Sequence, residues 1–169
     1  MKIMVFTEGT LLISPSVLHL SREERIRAVQ EELIQAAAAG KPIDFSTQVP
    51  AGDAAAKLQA WKRQGAEIMY LTSRTIPDEI EDIRYVLDKY SFPKGDLFYR
   101  QEGEEYKDVA ERVLPDVIVE DDCESIGGEI QMTYPHIRPE FKVRIKSIII
   151  PEAGGIDHLP DDIHALMKS

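Results

Sequence analysis

Lys2-Ile3-Met4-Val5-Phe6-Thr7-Glu8-Gly9-Thr10 is the stretch whose reading decides the architecture. From Ile3 to Phe6 it is apolar without alternation, the pattern of a parallel strand covered on both faces. Thr7-Glu8-Gly9 breaks the run long before the roughly 18 apolar residues of a membrane span, and it is also too short for a signal peptide. Similar runs recur at Glu67-Ile-Met-Tyr-Leu-Thr72, Asp116-Val-Ile-Val-Glu120 and Lys146-Ser-Ile-Ile-Ile150, with Leu97-Phe-Tyr99 a shorter candidate.

Helical patterns lie between these runs. Ser21-Arg-Glu-Glu24 is a capping box opening a helix with Ile26, Val29 and Leu33 on its apolar face, ending near Gly40. A loop with Pro42 and Pro50 follows, and Asp53 is placed to cap a helix carrying Leu58 and Trp61, closed by Gly65. Pro77 suits the first turn of another, with Ile80, Ile83 and Leu87 at helical spacing. Glu105 to Leu114 makes a fourth, with Val109, Ala110 and Val113 inward, and Pro160 starts a short last one containing Ile163 and Leu166. Strands alternating with helices predict an α/β domain. Right-handed crossovers then place helices on both faces of a parallel sheet.

Composition narrows the function. The chain has 169 residues, 43% of them hydrophobic, which suits one domain with a proper core. Its net charge of −10 makes nucleic acid and anionic membrane poor partners. A single cysteine, Cys123, makes neither an internal disulfide nor a thiolate zinc site, and points to a reducing, cytoplasmic setting. Acids beside it disfavour its thiolate. His19, His136, His158 and His164 have no metal-ligand spacing.

In open parallel sheets ligands bind beyond the carboxyl ends of the strands. There the sequence places Glu8-Gly9-Thr10, Thr72-Ser73-Arg74 and Glu120-Asp121-Asp122, with Lys107 at the start of the helix leading into the acidic strand. Two carboxylates roughly 6 Å apart at an effective dielectric near 20 repel by about 3 kcal/mol. A cluster of Glu8, Asp121 and Asp122 therefore needs something positive to offset it: a metal, Lys107, Arg74 or several of them. Thr72 and Ser73 suit a phosphate oxygen, and Arg74 a bidentate phosphate contact. Each also has a plain structural use. Acids cap turns, Thr72 and Ser73 can cap the Pro77 helix, and Phe6 can be simply core or floor a pocket.

These motifs, in this order, resemble the haloacid dehalogenase (HAD) superfamily, mostly Mg2+-dependent phosphatases. Glu8-Gly9-Thr10-Leu11 matches the second half of its Asp-x-Asp-Gly-Thr motif, and Thr72 its second-strand Thr or Ser. Lys107 matches its lysine, and Asp121 and Asp122 its paired acids. The resemblance implies a single HAD-like (Rossmann-like) domain over 1–169 with a small helical cap insert at about 13–50. It implies a small phosphorylated ligand held by Thr72, Ser73, Arg74 and Lys107, and Mg2+ at Glu8, Asp121 and Asp122. Glu8 and Lys107 would be the catalytic residues, and a homodimer through the sheet edge or cap is the assembly to expect.

The departure is Phe6, which stands where the family has its nucleophilic aspartate. A phenyl ring neither attacks phosphorus nor ligates a hard cation. Sliding the register to make Glu8 the nucleophile loses the Gly-Thr match. Three functions are weighed: a phosphate and metal site without efficient aspartyl-phosphate chemistry, a Mg2+-dependent hydrolase with Glu8 as general base, and a non-catalytic structural or interaction protein. Residues 129–144 form a second irregular insert without an assigned role.

Overall fold

The computed structural model describes residues 1–40 and 43–168. Pro42, expected in a loop, lies outside them. In chain order the strands are β1 (Lys2–Phe6), the short β2 (Leu12–Ile13) and β3 (Val49–Pro50), β4 (Glu67–Leu71), β5 (Leu97–Phe98), β6 (Val117–Asp121) and β7 (Lys146–Ile150). The helices are α1 (Arg22–Ala39), α2 (Ala54–Arg63), α3 (Pro77–Lys89), α4 (Tyr106–Val113), α5 (Pro139–Lys142) and α6 (Ile163–Leu166).

Five strands form one parallel sheet in the order β5-β4-β1-β6-β7, as the apolar runs predict. After β5 the chain crosses back over β1 to lay down β6 and β7 on its other side. The crevice that such a reversal opens lies at the carboxyl ends of β1 and β6. The register Val5↔Tyr70 and Val5↔Val119 brings the ends of β4, β1 and β6 level.

Alternation within the strands sorts the core into two layers. Ile3, Val5, Ile68, Tyr70, Val117 and Val119 pack with Leu58 and Trp61 of α2 and Ile83 of α3. Met4, Phe6, Met69, Leu71 and Ile118 pack on the opposite face with Val109 and Ala110 of α4 and with Ile137 and Ile145. Each such side chain fully buried contributes roughly 1.5–3 kcal/mol. Trp61 also donates its indole N–H to Pro160 O at 2.9 Å, fastening the C-terminal segment to α2.

The predicted cap of α1 is present. Ser21 and Glu24 form the reciprocal capping box, and Gly40 ends the helix in the left-handed region at φ 58°. The predicted burial is not. No residue of α1 is buried, because the helix belongs to an excursion, pinched at its base by the antiparallel β2–β3 pair, that overhangs the sheet. Two other expectations shift. Asp53 sits at the N-cap of α2 without a capping side-chain bond, and Asp157 accepts its N–H instead. The last helix starts at Ile163 behind an Asp162 cap rather than at Pro160. Among the described residues no helix is long and apolar enough to cross a membrane.

Candidate functional site

The end of β1 turns sharply. Leu11 N–H and Leu12 N–H both donate to Thr7 O at 2.9 Å, and Gly9 N–H donates to Leu12 O at 3.0 Å. Gly9 has φ +77°, and a Cβ there would lie 2.7 Å from Asp121 Oδ2, so glycine is required both for the backbone and for the close approach. That approach places the last residue of β6 directly against the β1 turn.

Asp121 is 5% exposed. It accepts from Thr10 Oγ1 at 2.9 Å and from Cys123 N–H at 3.0 Å. Burial pushes its carboxyl up to about 6, against the pull of those two bonds. Carboxylate oxygens of Asp121, Asp122 and Glu152 all lie within 4.8 Å of one another. Asp122 accepts from Glu152 N–H at 3.0 Å and pairs with Arg22 at 2.6 Å. Arg22 also pairs with Glu124 at 2.6 Å, so the first residue of α1 is tied to this rim. Glu152 accepts from the backbone N–H of Ser125 at 2.7 Å and from its hydroxyl.

Glu8 stands in a second cluster. Its carboxylate accepts from Thr72 Oγ1 at 2.8 Å, from Ser73 Oγ at 3.0 Å and from the Thr7 hydroxyl, and it pairs with Arg74 Nε at 3.0 Å. The Arg74 guanidinium lies 4.4 Å over the ring of Phe45. Three residues predicted to hold a phosphate thus come together, and the anion they hold is the protein's own.

The other predicted residues divide. Phe6 is buried and packs edge-on against Tyr106, ring centroids 5.2 Å apart. Lys107 turns to Glu105 at 2.5 Å, which raises its pKa, and it does not line the cleft. That cleft, about 180 Å³, is floored by Phe6, Glu8, Gly9 and Asp121. Its outer wall is apolar, with Val29 and Leu33 of the otherwise unburied α1 beside Phe45.

No protein-family model matches this chain, and no curated protein matches it.

Glu152 was missed by the sequence reading, although it follows β7 as Asp121 ends β6. The strand-end rule applied to that last strand would have found it. Burial, then Asp121 and Glu120, pushes the Cys123 thiol up, so its thiolate is disfavoured. Glu120, buried on the other face, accepts from Thr133 N–H at 2.7 Å and Tyr134 N–H at 2.9 Å. Those bonds anchor the 129–144 insert to the central sheet.

Proposed function

We propose that this chain is a HAD-like protein whose cleft binds a divalent cation and a small phosphorylated ligand without running the covalent phosphoryl transfer of the superfamily it resembles. The observation that carries the reading is Phe6: a phenyl ring, locked edge-on against Tyr106, ends β1 beside the cleft where an attacking carboxylate would be needed. The excursion over the strand ends acts as the cap, and the cytosol is the setting we infer.

Asp121, Asp122 and Glu152 offer the all-oxygen donor set that Mg2+ takes, and their crowding favours a cation. Glu8 belongs to the Arg74 cluster rather than to this one. A bound Mg2+ would supply charge neutralisation and a contact for a phosphate oxygen. The chain's own groups orient the set, Thr10 and Cys123 N–H fixing Asp121 while Arg22 fixes Asp122.

The hydrolase reading with Glu8 as general base is the weaker one. Three hydroxyls and a guanidinium already occupy the Glu8 carboxylate, so it must break bonds to take a proton from water.

Calorimetry with MgCl2 and a panel of phosphorylated metabolites, alongside a phosphatase assay on the same panel, tests the proposal. Binding without turnover is expected. Turnover that vanishes in Glu8→Gln favours the hydrolase, and no response in wild type or Asp121→Asn favours a structural protein. Phe6→Asp should gain Mg2+ affinity or measurable hydrolysis.

A further inference from the structure

The excursion over the strand ends turns an apolar side toward the cleft. It carries a small cluster of its own, Ile13 and Val17 packed with Ala51 and Ala153, apart from the two layers on the sheet. Ile13, Val17 and Ala153 also line the cleft, where Val29 and Leu33 of α1 and Ile126 join them. Leu33 is 36% exposed and Ile126 49%, so the fold leaves this part of the wall open to water.

Polar side chains on the same wall bond within their own segment. Ser14 Oγ lies 2.8 Å from Ser16 Oγ, and Thr47 Oγ1 donates to Asp44 O at 2.9 Å. Asp44 Oδ1 accepts from Ser46 N–H at 3.0 Å and from its hydroxyl at 2.5 Å. Gln48 Oε1 is buried rather than presented to a ligand. A group rich in hydroxyls would enter short of partners, and each hydroxyl removed from water without one is unfavourable. An apolar group instead covers Val29, Leu33 and Ile126 and gains from the area taken out of water. Size agrees with this. A cavity of roughly 150 Å³ lined by aliphatic side chains admits a benzene ring, and the cleft holds about 180 Å³. The charged groups lie at its floor, where Glu8, Asp121 and Glu152 meet Arg74.

We propose that the ligand is a phosphate monoester of an apolar group of about ring size, aryl or short alkyl rather than sugar, and that Val29 and Leu33 of α1 select it. This rests on the ligand reading above and adds the chemistry of the ligand's organic half.

Calorimetry at saturating MgCl2, with phenyl phosphate and glycerol phosphate as the probes, tests it. Wild type should bind phenyl phosphate about tenfold or more tighter than glycerol phosphate. Val29→Ser/Leu33→Ser should abolish that preference by weakening phenyl phosphate alone, with circular dichroism as the check on folding. Leu33→Met, which keeps the apolar bulk, should retain the preference. Glycerol phosphate bound as tightly as phenyl phosphate by wild type overturns the proposal, as does a preference that survives in the double serine variant. If wild type binds Mg2+ and both esters without preference, this inference falls and the ligand reading stands. If it binds neither ester, the ligand reading falls too.

Discussion

Asp121 carries a burial penalty at the rim. Its folded-state pKa of about 6 stands above its ordinary value of 3.8, so the native protein binds its proton more tightly than the unfolded chain does. Stability from this group is fully present below pH 4 and is lost as pH rises through 6, at most about 3 kcal/mol across that window. Glu120, raised by burial, has the same sign. Urea unfolding of the metal-free protein should therefore show stability held down as pH climbs from about 4 to 6.5, and Asp121→Asn should remove most of its share of that slope. Identical slopes in wild type and variant would show that the carboxyl titrates normally. Gly9→Ala is the steric counterpart. It must adopt φ +77° and push its methyl into Asp121 Oδ2, so a loss of about 1–3 kcal/mol is expected in the same denaturation experiment.

Helices α1 and α2 respond differently to damage because only α2 places fully buried side chains in the core. Trp61 is fully buried between α2 and the sheet, so Trp61→Ala should cost about 3–5 kcal/mol and lower the global unfolding midpoint. Ser21→Ala removes half of a capping box, worth about 1 kcal/mol to the helix, yet no residue of α1 is fully buried. Hydrogen exchange in Ser21–Ala39 should accelerate while the global midpoint barely moves; a full-sized drop in the midpoint would mean α1 folds with the core. The same contrast explains what was legible in advance. Short apolar runs bounded by turn residues read as parallel strands, so the sheet was readable from β1, β4, β6 and β7, although Ile149 of the edge strand β7 is exposed rather than covered. Ile26, Val29 and Leu33 announce an apolar face but not what it meets, and here Val29 and Leu33 meet a cleft. Local sequence placed Glu8, Thr72, Ser73 and Arg74 on one rim, but their bonding to one another depends on distances across strands, which spacing along the chain does not encode.

At the scale of the whole molecule, strand order and net charge act together. The reversal beside β1 gathers the ends of β1, β6 and β7 into one crevice, and each end brings carboxylates: Glu8, then Asp121 and Asp122, then Glu152. In a chain of net charge −10 the long-range field reinforces that local crowding rather than offsetting it. Any salt relieves the general repulsion by screening, whereas only a cation seated among the carboxylates relieves the local part. The two effects separate when MgCl2 and NaCl are compared at equal ionic strength. A cation that binds the native state at about 100 times its dissociation constant adds about 2.7 kcal/mol, and a domain of this size gains about 2–4 °C per kcal/mol. MgCl2 should therefore raise the midpoint at pH 7 by several degrees beyond NaCl, and the excess should disappear in Asp121→Asn. Equal shifts in the two salts would reduce the crevice to a screened acidic surface, because screening depends on ionic strength and is indifferent to where Asp121 sits.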